Sequence, residues 1–141
     1  SENYLCEPVQ HYGFYLTPLQ NFEKGKTVFY PHGYSNYFFH PTHPHELIIV
    51  STENNKVSIL NCLSGEIVRT ISKGKEYAFC NIDPVTGNYL FRNYYYVLIT
   101  NENGDELFRM RSEDASPYLA NNILTCWAGA AINVEPYLKK P

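Results

Sequence analysis

The side chains best suited to chemistry stand together in one short stretch, from His40 to Glu46, which holds three histidines and a carboxylate. Neutral imidazole is a common ligand of zinc, nickel and copper. In an extended stretch His43 and His45 would point to the same side, because successive side chains alternate. His40, His43, His45 and Glu46 are therefore the alternative metal-ligand set. The prolines between them are typical of a solvated surface turn, and we predict that turn, with no metal and no cofactor.

A second candidate is the run of three tyrosines at 94–96, preceded by Arg92. Alternation along a strand would leave at least one of these rings exposed. Cross-strand packing is the first interpretation of these rings. Tyrosine and arginine are also frequent in interface hot spots, so a protein-binding surface is the functional alternative that this run offers. Arg92 is the one basic residue nearby, too few for a platform that stacks single-stranded nucleic acid. The predicted partner-binding residues are Arg92, Tyr94, Tyr95, His43 and His45.

The sequence carries no pattern that indicates catalysis. It has neither a G-x-S-x-G elbow nor a glycine-rich phosphate loop. Cys62, Cys80 and Cys126 lie in or beside apolar stretches, where a thiol packs as a small hydrophobe and stays protonated. The four cysteines lie far apart without a C-x-x-C pair, so either two disulfides or four free thiols would fit. We expect an intracellular location, cytoplasmic or nuclear, and both thiol states stay open.

Composition narrows the class of protein further. Aromatic residues make up 16% of the 141 residues, with 13 Tyr and 8 Phe, which favours β structure. The net charge is −3 and the basic residues are scattered, so a nucleic-acid or anionic-membrane footprint is not predicted. No apolar run reaches the roughly 18 residues that a membrane-spanning helix needs. Protein partners are the remaining expectation.

Two similar segments, 38–71 and 80–110, dominate the middle of the chain. Each has an apolar pair before an X-Pro turn, then an apolar strand, a second strand before a turn glycine, and a third strand. Pro41 and Pro84 lie 43 residues apart, and Gly65 and Gly104 lie 39 residues apart. A period near 40 with four short strands is typical of a propeller blade. The sequence therefore predicts antiparallel four-stranded blades.

The flanking segments are less regular, and we divide the chain into residues 1–34, 35–111 and 112–141. The first segment is predicted to be an N-terminal arm or a degenerate blade, with strands at 13–16 and 27–30 and a turn at 23–26. The second holds the two repeats. The third is predicted to be a short helix or strand: Ser116-Pro117 could begin a helix, and apolar residues between 119 and 127 recur at helical spacing.

Residues 36–111 resemble WD40-type β-propeller repeats. The matching features are Phe38-Phe39-His40-Pro41, Leu47 to Ser51, Lys56 to Leu60, and Ser64-Gly65-Glu66 before Ile67 to Ile71. The Trp-Asp dipeptide of that family is absent; Leu60-Asn61 and Thr100-Asn101 take its place. The resemblance implies a rigid scaffold whose loops bind other proteins.

The predicted fold class is thus all-β, a partial propeller with a short C-terminal helix or strand. At about forty residues per blade the chain supplies about three and a half blades, fewer than the four to eight of closed propellers. A fragment, a ring completed by another chain, or a small β-sandwich or cupin-like barrel would each account for this length. The predicted function is a non-catalytic interaction or scaffold module of a larger assembly. The alternative is a small-molecule or metal-binding cupin-like barrel that uses residues 40–46.

Overall fold

Four antiparallel sheets form the fold in the computed structural model, which describes residues 3–9, 12–19, 28–31, 35–113, 116–126 and 129–140. The first two sheets contain β1 (Tyr4–Val9), β2 (Gly13–Pro18) and β3 (Val28–Pro31), then β4 (Ser35–Phe39), β5 (Glu46–Ser51), β6 (Val57–Asn61) and β7 (Ile67–Ile71). The last two contain β8 (Ala78–Ile82), β9 (Tyr89–Arg92), β10 (Tyr96–Thr100) and β11 (Glu106–Arg111), then β12 (Tyr118–Ala120), β13 (Ile123–Thr125) and β14 (Ala131–Asn133). A single 3₁₀ turn, Glu135–Tyr137, follows β14 among the described residues.

The two predicted repeats are confirmed as four-stranded meanders, β4–β7 and β8–β11, in which each strand pairs with the next. Their turn glycines, Gly65 and Gly104, adopt positive φ angles of 75° and 88°, where a Cβ would be strained. The strand β5 is buried on both faces, with exposed fractions of 7% or less from Leu47 to Val50. A run buried on both faces needs a covering layer on each side of the sheet.

The chain divides into two compact units, Ser1–Thr70 and Ile71–Pro141. In the first unit, residues of β1 and β2 share a hydrophobic core with β5 and β6; its fully or nearly buried members are Tyr4, Phe14, Leu16, Leu47, Ile49, Leu60 and Cys62. The predicted strands near 13–16 and 27–30 are confirmed as β2 and β3, whereas β1 was not anticipated. The predicted turn at 23–26 lies outside the described residues. The three-segment division at 34 and 111 stays a prediction.

In the second unit, two polar side chains of the β8–β11 sheet hold the β12–β14 sheet. The amide of Asn81 donates to the carbonyl of Leu119 at 2.8 Å and accepts the Leu119 N–H at 3.1 Å. The Asp83 carboxylate accepts the backbone N–H groups of Asn121 and Asn122 at 2.8 and 2.9 Å. Apolar residues of both sheets, including Leu90, Val97, Leu119 and Leu124, complete the core.

The helix predicted after Ser116 is wrong, and the strand alternative is correct. Tyr118, Leu119 and Ala120 pair with Thr125, Leu124 and Ile123, so β12 and β13 form a hairpin. Asn121 and Asn122 form its two-residue turn with φ angles of 50° and 60°. Asparagine tolerates this left-handed conformation, which a two-residue hairpin of type I′ requires at both positions. Trp127, the last apolar residue of that helical pattern, lies outside the described residues.

Candidate functional site

The predicted site residues lie in two places. The His segment, residues 40–46, connects β4 to β5 in the first unit. The Tyr turn, residues 92–96, connects β9 to β10 in the second unit.

His40 organises the His segment through its side chain. Its Nδ1 accepts the backbone N–H groups of Thr42 at 3.2 Å and His43 at 3.1 Å. A neutral imidazole has one acceptor nitrogen, so Nδ1 is that acceptor and Nε2 carries the proton. Burial, together with the adjacent His43, lowers the pKa of His40 to about 4. His40 is therefore a neutral turn-capping residue near pH 7.

Asp83 caps the corresponding turn of the second repeat. It stands directly before Pro84, as His40 stands directly before Pro41. Its Oδ1 accepts the N–H groups of Val85 and Thr86 at 2.9 and 3.3 Å. Its carboxylate is fully buried. Burial would raise the pKa of Asp83, but the backbone donors outweigh burial and hold that pKa below its ordinary value. In both repeats a side chain therefore caps the turn after the first strand, although that residue is His40 in one repeat and Asp83 in the other.

Glu46 is the charged centre of the His segment. Its Oε2 accepts hydrogen bonds from Arg69 Nη2 at 2.6 Å and from His43 Nδ1 at 2.7 Å. The His43 ring stacks on His40 with ring centroids 4.1 Å apart. Burial would raise the pKa of Glu46, but the hydrogen bonds from Arg69 and His43 prevail and lower it. Glu46 is therefore an ionised carboxylate that faces two donors.

Arg69 was missed by the sequence reasoning, and no local pattern could have revealed it. Arg69 lies on β7 and Glu46 on β5, with β6 between them in the sheet. The two residues are 23 positions apart in the chain. Their contact depends on the order and register of three strands. The arginine becomes visible as a partner of Glu46 only once those strands are in place.

His45 does not join the other histidines. The ligand atoms of His40, His43 and Glu46 lie within 4.8 Å of one another, whereas His45 Nδ1 is hydrogen bonded to the Tyr4 hydroxyl at 2.9 Å. Residues 44 and 45 form a turn rather than an extended stretch. For this reason the two-residue spacing does not bring His43 and His45 together.

The His segment fits a hydrogen-bonded ion-pair network better than a metal centre. A metal ion at His40 would need a nitrogen lone pair, and the available one already accepts two backbone N–H groups. The Arg69 guanidinium against Glu46 would also repel a cation. Metal binding by this segment stays an alternative, supported only by the proximity of the three ligand atoms.

The Tyr turn presents its rings to solvent on a fixed backbone. Asn93 Oδ1 accepts the N–H groups of Tyr95 at 2.9 Å and Tyr96 at 2.7 Å. The Tyr95 carbonyl accepts the Ser112 N–H at 2.7 Å. Tyr94 is 87% exposed and Tyr95 is 56% exposed, and their ring centroids lie 6.4 Å apart. The side chain of Asn93 thus holds two large aromatic groups outward on a short turn.

A cation that the sequence reasoning missed adjoins this turn. The Arg109 guanidinium lies over the Tyr96 ring, 5.4 Å from its centroid, and over the Tyr77 ring at 5.6 Å. It also donates to the Tyr77 hydroxyl at 2.6 Å and to Glu106 Oε1 at 2.7 Å. Arg92, the predicted cation, is half-buried at the end of β9. Arg109 therefore brings a guanidinium that is paired with Glu106 next to Tyr96.

Comparisons with known proteins identify the fold. No family model and no curated protein matches the chain. Among solved structures, BamB from Moraxella catarrhalis, a β-propeller protein, matches with a TM-score of 0.52 and 20% sequence identity. The match covers 84% of this chain and 38% of that chain, so the chain spans less than half the length of its structural neighbour. The fold is propeller-like and all-β. The described residues contain no helical segment with the length and apolar character that crossing a membrane requires.

Proposed function

We propose that the chain is a non-catalytic protein-interaction module of a larger assembly and that the Tyr turn is its main contact surface. The exposure of Tyr94 and Tyr95 on a backbone fixed by Asn93 carries this proposal. Tyrosine offers a large contact area and loses few torsions on binding. A turn that is already ordered loses little further entropy when a partner docks.

The charges beside the turn support a partner segment with carboxylate or other acceptor groups. Arg92 ends the preceding strand, and Arg109, which is paired with Glu106, lies over Tyr96. A guanidinium can bind a carboxylate through two parallel hydrogen bonds. The proposed partner surface therefore combines an apolar group, to cover the tyrosine rings, with an acidic or carbonyl group at its edge.

The His segment is proposed as a secondary contact. His43 is the exposed member, with 41% of its side chain accessible, whereas the side chain of Glu46 is only 14% accessible. His45 is half-buried. A partner that reached this segment would meet His43 first, with Glu46 and Arg69 behind it.

Two finer statements belong to the same proposal. One is the assignment of residues 36–111 to WD40-type repeats, supported by the strand order and by Gly65 and Gly104 at their turns. The other is an intracellular location, cytoplasmic or nuclear, supported by the unbridged state of all four cysteines.

The decisive experiment compares proteins retained by three tagged forms of the chain in the cells that produce it. The double variant Tyr94→Ala/Tyr95→Ala should lose the partners that the unaltered chain retains, by at least about tenfold if the rings supply 1.4 kcal/mol or more. Tyr137→Ala is the matched control, because Tyr137 is 67% exposed and lies away from the turn in sequence. Equal retention of every partner by the double variant would refute the Tyr turn as the contact surface.

Metal binding is the second candidate, because His40, His43 and Glu46 stand close together. Elemental analysis of the purified protein tests it directly. Stoichiometric metal that disappears in His43→Ala would support a metal centre, and metal-free protein would end this alternative.

A further inference from the structure

Two of the four cysteines, Cys6 and Cys62, belong to one hydrophobic core. Cys62 is 9% exposed and is a buried member of the core in the first unit, and the half-buried Cys6 packs against the same core. Cys6 comes from β1 and Cys62 directly follows β6, so the two thiols belong to different sheets of that unit. A bond between them would join these sheets covalently.

His45 links the surroundings of both cysteines. The Tyr4 hydroxyl is hydrogen bonded to His45 Nδ1 at 2.9 Å, and the Cys62 N–H donates to the His45 carbonyl at 2.7 Å. Cys6 lies two residues after Tyr4 on the same strand, and alternation along a strand puts both side chains on one face. The burial of Tyr4 and the partial burial of Cys6, with exposed Leu5 between them, agree with that direction.

We propose that Cys6 and Cys62 are a thiol modification site that forms an intramolecular disulfide when the protein meets a small-molecule disulfide such as oxidised glutathione. The Cys6 thiolate attacks one glutathione sulfur, forms a mixed disulfide and releases one glutathione thiolate. The Cys62 thiolate then attacks the Cys6 sulfur and releases the second glutathione. The two cysteines lose two electrons and two protons, and glutathione disulfide gains them as two thiols.

The order of these steps follows from access. Cys6 is the more exposed thiol and meets the oxidant first, whereas Cys62 lies within the core and acts on the mixed disulfide. Burial, followed by the neighbouring Glu7, raises the pKa of Cys6 to about 11. Burial, followed by Cys6 itself, raises the pKa of Cys62 to about 11. Because the thiolate is the attacking form, the oxidation should be slow at neutral pH and should become faster as the pH rises.

Peptide mapping tests this pairing without any variant. Trypsin cleaves after lysine and arginine, which places Cys6 in residues 1–24, Cys62 in 57–69, Cys80 in 76–92 and Cys126 in 112–139. The folded protein is incubated with oxidised glutathione, alkylated, and digested without reductant. The expected product is one linked pair, 1–24 with 57–69, in a protein that has lost two hydrogen atoms and two of its four free thiols. Cys80 and Cys126 should remain alkylated.

Two controls separate a built site from random oxidation. The same treatment in guanidinium chloride should yield mixed pairings, since four cysteines allow three connectivities. The Cys62→Ser variant should stop at the mixed disulfide, with glutathione bound to residues 1–24. Linkage of Cys6 to Cys80 or Cys126 in the folded protein would overturn the proposal. So would a folded protein in which the mixed disulfide of Cys6 and glutathione persists because Cys62 does not displace the glutathione.

Discussion

His40 and Asp83 cap equivalent turns of the two repeats, yet the two side chains respond to acid differently. Asp83 is held as a carboxylate by backbone donors, so its pKa lies below its ordinary value. His40 is held neutral, because burial and the adjacent His43 lower its pKa from the ordinary value of 6.5 to about 4. At a pH between these two pKa values of His40, the side chain is protonated in the unfolded chain but not in the folded chain. Stability must therefore fall as the pH decreases through this window.

We predict that His40→Asn weakens this acid sensitivity. Asparagine offers an uncharged acceptor for the N–H groups of Thr42 and His43 and does not titrate. At pH 5 the protonation of His40 in the unfolded chain costs the parent protein about 2 kcal/mol relative to pH 7 or above. The difference in unfolding free energy between pH 7 and pH 5, measured by urea titration, should shrink by about that amount in the variant. An equally large loss of stability between pH 7 and pH 5 in both proteins would show that His40 does not cause this acid sensitivity.

At the scale of elements, Asp83 stabilises a second turn in addition to its own. The same carboxylate that accepts Val85 and Thr86 also accepts the N–H groups of Asn121 and Asn122. One side chain thus joins the β8–β9 turn to the β12–β13 turn. Truncation would leave buried backbone donors without an acceptor, and each such group costs about 1–3 kcal/mol.

Asp83→Ala should therefore lower the unfolding free energy by about 3 kcal/mol or more. The loss should be measured by urea unfolding, with hydrogen exchange to locate it. Exchange should accelerate first at the Asn121 and Asn122 amides, which lose their acceptor directly. Asp105→Ala is the matched control, because Asp105 is an exposed aspartate whose carboxylate accepts from the Asn101 side chain; we expect it to change stability by less than about 1 kcal/mol. Equal effects of the two substitutions would contradict the conclusion that Asp83 joins the two turns.

The elements also show what the sequence could and could not predict. The meanders were predictable because their turns use residues with a mechanism, such as Gly65 and Gly104 at positive φ. In the β12–β13 segment a helix was preferred to a strand because apolar residues at 119, 123 and 124 also match a helical spacing. The Asn121-Asn122 pair indicated a hairpin instead of a helix, because two asparagines between apolar pairs favour a type I′ turn. The short turn, not the apolar period, determined the local structure.

The candidate site was less predictable than the fold. Alternation along a strand predicted that at least one tyrosine would be exposed, whereas Tyr94 and Tyr95 are both exposed because they lie in a turn. The partners of Glu46 and Tyr96 do not follow, because Arg69 and Arg109 approach them from other strands. Long-range pairs of this kind depend on strand order and register, and the sequence specifies these only through the fold as a whole.

At the scale of the whole molecule, the outer face of the β1–β3 sheet carries three large apolar side chains that are exposed. The inner face, with Tyr4, Phe14 and Leu16, is buried in the first core. On the outer face Leu5, Tyr15 and Phe29 are 46%, 43% and 41% exposed. The Tyr15 and Phe29 rings contact each other at 5.0 Å. Propeller sheets ordinarily bury both faces against neighbours, so we expect this face to be covered as well.

We therefore expect the native protein to occur in a species heavier than the 16.3 kDa chain. Light scattering of material isolated under native conditions measures that mass. Tyr15→Lys places a charge on the exposed face and should shift the protein toward lower mass, whereas Tyr12→Lys, at a 72% exposed tyrosine of the β1–β2 turn, should not. A single 16.3 kDa species that unfolds cooperatively would remove the argument for a covered face. The reason is that three large apolar side chains would then be left in water without destabilising the chain, and the proposal of a scaffold completed by partners would lose its structural basis.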